Sequence, residues 1–357
     1  MEKAAVTTAG GFIRGRSWQS RNRKGERKLN ILVGDKDLSE LVETITWSGD
    51  SGQIARKLEF TIAKNTQDPN FPNVTINEGD QVLLQTDTGT FLFGGIIFDI
   101  EKMAGSNLVR YLAYDLIFYL TGSELTKDYN GAPEDIARDV CGALGITAGT
   151  MAATGITITN PCVKKTGYQV IQSSYTAAAR KNGKKYQLMM TEVNRVSVIE
   201  KGQDSGVILT GDSNLSDATY KTTLQNLVNK VLITNQKGTV VGIVEDTESQ
   251  AAYGTIQKVL EQEEGKDAAA EAKNLLHGSD PSATVTGIPD DIRAMAGYAL
   301  LVQEEETGLI GQFFIESDSH KYSNGESTMS LTLAFQNLMD EVEIDKPSED
   351  KKQKRGG

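Results

Sequence analysis

The chain has 357 residues, 38% of them hydrophobic, and a formal net charge of −11, a length that accommodates two or three domains. Two cysteines and two distant histidines exclude a disulfide framework and make a poor zinc site. No apolar run reaches the ~18 residues of a membrane span, and the opening "MEKAAVTTAGGFIRGR" lacks a signal-peptide core, so synthesis and retention in a cytoplasm until assembly are expected.

Charge is uneven from the start of the chain. Arg14 to Lys28 holds seven basic residues and one acid, net +6, which leaves −17 on residues 29 to 357 because residues 1 to 13 are neutral. A nucleic-acid binder carries its basic face on the fold itself, so no specific nucleic-acid binding is expected. Arg14, Arg16, Arg21, Arg23 and Lys24 are candidates for contact with an acidic partner; a solvated terminus explains the same residues.

Residues 29 to 126 read as mostly β. Leu58, Phe60 and Ile62 alternate, two strands flank Asp87-Thr88-Gly89, and "NLVRYLAYDLIFYL" reads as one more strand ending in an apolar run. Residues 127 to 221 read as an α/β insert. Pro133 opens a helix with Glu134 and Asp135 in its first turn, and Ile136, Val140 and Leu144 form its stripe, with Cys141 on the apolar side. A second amphipathic helix follows over "TGYQVIQSSYTAAARKNGKKY", then a hairpin turning at Asn194. Residues 222 to 338 return to strands with one short helix at "DAAAEAKNLLHG", and residues 339 to 357 read as a frayed, charged tail.

The last hairpin holds His320. Phe313 and Ile315 alternate before it; Met329, Leu331, Leu333 and Phe335 alternate after it; Asn324-Gly325 supplies a tight turn. Ser317, Asp318, Ser319 and His320 are thus placed where a strand enters its loop, and consecutive strand residues diverge. No catalytic cluster is assigned there. There is no phosphate loop, no Gly-x-Ser-x-Gly and no Cys/His nucleophile pair, so no catalytic residue, metal or cofactor is assigned.

Two stretches repeat one another. Those starting at Gly79 and Gly297 each run into an apolar strand, turn at Thr88-Gly89 or Thr307-Gly308, and resume at Gly95-Ile96-Ile97-Phe98 or Gly311-Gln312-Phe313-Phe314-Ile315. The expectation is a duplicated small β-barrel or sandwich with the α/β insert between its copies.

Through "MAGYALLVQEEETGLIGQFFIESDSHKYSNGESTMSLTLAF", "AAYGTIQKVLEQ" and "INEGDQVLLQTDTGTFLFGGIIFDI", the chain resembles the baseplate hub proteins of contractile phage tails. It is most similar to the late-control-type hubs of Bacillus and Clostridium prophages and phage-tail-like bacteriocins. The resemblance implies an α+β, mainly β chain with two similar tube-type β-barrel domains, acting as a homotrimer. Three such chains adapt a sixfold tail tube to a threefold central spike, in contact with the tape measure and baseplate wedge proteins. The surfaces expected to meet the tube are the hairpins at Thr88, Gly89, Thr307 and Gly308 and the strands that follow, with Gly95 and Gly311. The rival is a tail-associated peptidoglycan hydrolase using Glu134/Asp135 or Asp290/Asp291 as acid and base. Both pairs read better as first-turn acids of helices.

Overall fold

The computed structural model describes residues 29–345 apart from 53–54, 65–67, 69, 73 and 264. The basic segment up to Lys28 lies outside the described residues. Glycine turns and alternating apolar residues produce seven strands first: β1 (Leu29–Val33), β2 (Lys36–Asp37), β3 (Val42–Asp50), β4 (Lys57–Ala63), β5 (Gln81–Thr86), β6 (Phe91–Lys102) and β7 (Leu108–Asp115). The middle of the chain holds α1 (Ile117–Gly122), β8 (Glu124–Leu125), β9 (Tyr129–Gly131), α2 (Pro133–Ala143), β10 (Ala148–Met151), β11 (Ile158–Asn160) and β12 (Lys165–Thr166). It continues through α3 (Gly167–Asn182), β13 (Tyr186–Glu192) and β14 (Arg195–Glu200). Then come β15 (Asp204–Thr210), β16 (Leu215–Thr223), β17 (Lys230–Thr234), β18 (Val240–Glu245), α4 (Thr247–Tyr253), β19 (Gln257–Glu261) and α5 (Ala268–Leu275). The chain ends on β20 (Asp280–Gly287), β21 (Ala299–Glu304), β22 (Leu309–Ser323) and β23 (Glu326–Ala334).

The protein is α+β and mainly β. One 13-stranded sheet runs β16-β20-β23-β22-β3-β4-β7-β6-β5-β1-β2, with β21 on β22 and β15 on β21. Among the described residues no sheet closes into a barrel through its strand pairing, so the two separate barrels expected from the sequence are one open sheet here.

The repeat is present at the level of register. In the first copy the order is β3-β4-β7-β6-β5, and in the second it is β16-β20-β23-β22-β21. Trp47 faces Leu58, Leu58 faces Ala113 and Ala113 faces Ile97. In the second copy Tyr220 faces Ala283, Ala283 faces Leu333 and Leu333 faces Ile315. Both copies slip at the same two places. One slip lies between Val42 and Thr44, matched between Leu215 and Asp217. The other lies between Ile97 and Asp99, matched between Ile315 and Ser317. Bulges are specific devices rather than noise, so shared bulges identify one unit used twice. The register also corrects the sequence alignment: Gly311 faces Val302, whereas Gly95 faces Val82, the counterpart of Leu300. The two glycines are therefore not equivalent.

Four further expectations change. "LIFYL" is not strand: the buried Asp115 carboxylate accepts the Ile117 backbone N–H at 3.0 Å and the Arg56 N–H at 3.2 Å, and the chain turns into α1. Such local side-chain bonds compete with the ladder. β15 and β16, assigned to the middle unit, are strands of the large sheet; the middle unit's buried core runs from Ile117 to Val198. β17, β18 and β19 form their own sheet covered by α5, with Val228, Val231, Ile233 and Ala272 buried. Finally, residues 339–345 dock on α3. Tyr168 donates to Asp340 at 2.6 Å, Val342 N–H donates to Thr176 at 3.2 Å, and Arg180 pairs with Glu341 and Glu343.

The two predicted helices of the middle unit form as read. α2 starts on Pro133 and buries Ile136, Val140 and Cys141. α3 has a Thr166/Gln169 capping box and ends on Gly183 at φ +75°.

Candidate functional site

The two copies meet where β22 pairs antiparallel with β3, from Ser317 opposite Asp50 to Ser323 opposite Thr44. The geometry begins with a bulge. Phe313 and Ile315 are buried, Glu316 is skipped in the ladder, and Asp318 and His320 are then the buried residues of β22. One extra residue has moved the inward face from the odd to the even positions. His320 is thus mid-strand and fully buried, not at a loop mouth. The turn itself follows the sequence reading, with Asn324 at φ +54° and Gly325 at φ +78°.

Around this seam lies a buried ionic cluster. Arg56 grips Asp318 with both nitrogens, at 2.9 and 2.5 Å, a bidentate charged pair. Asp318 also accepts the Ala296 N–H at 2.6 Å. His320 Nδ1 lies 2.5 Å from Asp290 Oδ1, and Tyr322 donates its hydroxyl to the other oxygen of Asp290. His320 Nε2 is 3.2 Å from Asp318 Oδ2, an ion-pair contact without hydrogen-bond alignment. Trp47 stacks on the imidazole, with ring centroids 4.6 Å apart, and carries the Arg56 guanidinium 4.4 Å over its ring. Gly49, opposite Asp318, leaves the room: a Cβ there would lie 2.1 Å from Arg56 Nη1.

The charges balance. Burial alone would lower the His320 pKa, but the hydrogen bond with Asp290 and the attraction of Asp290 and Asp318 win and raise it from 6.5 to about 9. Burial pushes Asp318 up, and the Arg56 and His320 charges overcome that, holding it at about 2. With Arg56 and His320 positive, the cluster holds a charged histidine between two carboxylates.

The Asp290–His320 contact has the first half of a triad's geometry, but the histidine is fully buried. Among the described residues no group of three or more His, Cys, Asp or Glu is arranged to hold a metal. The acidic pairs have other work. Glu134 sits in the first turn of α2 and accepts from Thr154 N and Oγ1 at 3.1 and 2.8 Å. Asp290 and Asp291 are not in a helix, contrary to expectation: Asp290 is buried against His320, and Asp291 pairs with Arg293.

The sequence-derived surface candidates separate. Gly89, at φ +83°, turns the β5–β6 hairpin, and the Thr88 hydroxyl is 2.8 Å from Thr86 Oγ1. Thr307 N–H bonds Glu304, and Gly308, at φ +75°, turns β21 into β22. These are equivalent hairpins of the two copies. Gly95 is buried, and a Cβ would meet the Tyr114 carbonyl at 2.2 Å; it serves packing. Gly311 is half-buried within β22. Arg14, Arg16, Arg21, Arg23 and Lys24 lie outside the described residues. Sequence reading finds no sign of Arg56 and places Asp290 at a helix start, since the two reach Asp318 and His320 across 262 and 30 residues of chain. The Asp318 and His320 pair, which the sequence places at a strand end, is the signal that could have found the cluster.

The fold is shared with prophage tail proteins. The 43 kDa tail protein of prophage MuSo2 from Shewanella oneidensis superposes with a TM-score of 0.65 at 14% identity, covering 86% of this chain and 98% of that one. A tail protein from Neisseria meningitidis MC58 superposes with a TM-score of 0.60 at 17% identity, covering 86% and 96%. In sequence, the phage-like element PBSX protein XkdQ of Bacillus subtilis is 23% identical over 327 residues, 87% of this chain and 98% of that protein. The duplicated sheet unit thus lies on a fold that prophage tail proteins share. The chain belongs to the YQBQ-like family, which it matches over residues 45–334.

Proposed function

We propose that this chain is the structural baseplate hub of a contractile tail or tail-like particle. It would act as a homotrimer whose six repeats adapt the sixfold tail tube to the threefold central spike. The observation that carries the reading is the duplication: two copies of one five-strand unit, with the same order and the same two bulges. Two copies per chain are what converts three chains into six similar lobes. The similarity to XkdQ, a protein of a phage-like element, supports the same setting.

In this reading each copy is a tube-type β-domain that completes its barrel only beside a neighbouring copy. The equivalent hairpins at Thr88-Gly89 and Thr307-Gly308 face the tube protein. The +6 segment of residues 14 to 28 touches an acidic surface of a neighbouring subunit or of the tape measure. The domain plan is a basic arm to residue 28, a first tube domain, a middle domain and a second tube domain that takes in β15 and β16, followed by a C-terminal segment. The chain works in the bacterial host cytoplasm during assembly and in the particle afterwards. Among the described residues no helix is long and apolar enough to cross a membrane. The chain has no hydrolytic role in this reading, since its acidic pairs cap a loop and hold the repeat junction.

Native mass spectrometry of the purified chain, alone and with its spike, tests the reading. Three chains per assembly, with six lobes in axial image averages, is the expected result. A dimer, or six lobes from six chains, overturns it.

A further inference from the structure

The seam between the two copies uses only one of two equivalent joining surfaces. β22 is in two parts along one edge: residues 309–314 pair with β21, and residues 317–323 pair with β3. β6 is built the same way. Its residues 91–96 pair with β5. Gly79 N–H then donates to Ile97 O at 2.9 Å and Ile97 N–H to Asp80 O at 3.0 Å. In the second copy Gly297 N–H donates to Ile315 O at 3.0 Å and Ile315 N–H to Tyr298 O at 2.8 Å. Past that point β22 receives β3, whereas residues 99–102 of β6 pair with β7 alone among the described residues.

The other half of the unused joint is β16. It is the counterpart of β3, nine residues long like it, and it pairs only with β20. Its outer edge is open among the described residues. Tyr220 shows the consequence: it is 44% exposed, while its counterpart Trp47 is fully buried in the seam. Met103, next to the open end of β6, is 57% exposed. Open edges with exposed apolar side chains recruit another strand.

We propose that β16 of one copy of this chain adds antiparallel to the open end of β6 of the next copy, in the register of the internal seam. This rests on the self-assembling reading above and makes it residue-specific. Ser317 faces Asp50 and His320 faces Trp47 within the chain. Asp99 and Lys102 hold the positions of Ser317 and His320, opposite Leu112 and Val109 as those are opposite Thr332 and Met329. Thr223 and Tyr220 hold those of Asp50 and Trp47. The intermolecular pairs are therefore Asp99 with Thr223, Ile100 with Thr222, Glu101 with Lys221, and Lys102 with Tyr220. Glu101 opposite Lys221 is an opposite-charge cross-strand pair, and Lys102 opposite Tyr220 places an ammonium beside an aromatic ring. The joint is head-to-tail, so it closes into a ring or grows as a filament.

The two joints differ in strength. Ile100 stands where Asp318 stands, and Lys102 where His320 stands, so the intermolecular joint has no counterpart of the buried ionic cluster. The seam within the chain is permanent; the one between chains forms and parts with concentration.

Cysteine cross-linking of the full chain tests the register. Adjacent antiparallel pairs alternate between wide and close spacing, so one of two neighbouring pairs suits a disulfide. The variants are E101C/K221C, K102C/Y220C and the slipped control E101C/T219C, with Cys141 and Cys162 kept because both are buried. On mild oxidation an in-register pair gives about tenfold more covalently linked chains than the control. As a second test, E101K and K221E each weaken assembly, and E101K/K221E restores it. If the unmodified chain assembles by mass but in-register pairs link no better than the control and the charge swap restores nothing, the proposed register is wrong and the hub reading stands. If the chain remains a monomer alone and with its spike, the hub reading fails and this joint with it.

Discussion

His320 of β22 stacks on Trp47 of β3 with ring centroids 4.6 Å apart and planes 30° apart, directly across the strand pair that joins the two repeats. A histidine that is one of two in the chain is here a charged tie between Asp290 and Asp318, fully screened from solvent. The contact turns two sheet units into one.

Replacing His320 by Ala removes the cation between two buried carboxylates. Breaking a buried ion pair from one side costs about 3–5 kcal/mol, so His320→Ala is expected to lower urea stability by that order. Hydrolytic activity is not expected to change with it. A loss under about 1 kcal/mol in equilibrium unfolding would show that the cluster contributes little.

Arg56→Met leaves Asp318 buried without its bidentate partner and is expected to cost about 3–5 kcal/mol. Arg56→Met with Asp318→Asn removes both charges and keeps an oxygen for the Ala296 N–H. The double variant is expected to recover most of the loss. A double-mutant cycle by chemical unfolding measures the coupling.

Stability should depend on pH with a sign set by two groups. The folded pKa of His320 is raised from 6.5 to about 9 by its carboxylate partners, against burial, so its contribution is full below pH 6.5 and is lost as pH rises through about 9. Asp318 is held down from 3.8 to about 2, so its contribution is full above 3.8 and is lost as pH falls through about 2. Asp115 is pushed up from 3.8 to about 7 by burial, so its contribution is full below 3.8 and is lost as pH rises through about 7, before the His320 limb. Melting temperatures from pH 2 to 10 should fall at both ends, and His320→Gln should flatten the rise-in-pH limb above 6.5. An unchanged alkaline limb in that variant would remove His320 from the account.

Deleting residues 1–28 removes the +6 segment from a −17 body. The free chain is expected to melt at the same temperature, while particle assembly weakens. Assembly of the deletion at moderate salt with unchanged yield would assign the segment no role there.

The duplication was legible in the sequence because it rests on local signals. Alternating apolar residues make strands, and glycines at Gly89 and Gly308 with φ near +80° make the turns between them. The helices of the middle unit were legible for the same reason: Pro133 opens one, and Thr166 with Gln169 caps the other. The sequence by itself therefore determined a mainly β chain with a repeated hairpin unit, an α/β segment between the copies and an acidic body behind a basic segment. The tertiary structure alone decided that the copies share one open sheet, that Gly95 and Gly311 fall out of register, and that His320 faces inward. Alternation predicts which face a side chain takes only while the count is unbroken; the bulge at Glu316 adds one residue and reverses every position after it. Arg56, just before β4, and Asp290, between β20 and β21, reach the seam only once the sheet has assembled, and no spacing along the chain encodes a contact across 262 residues.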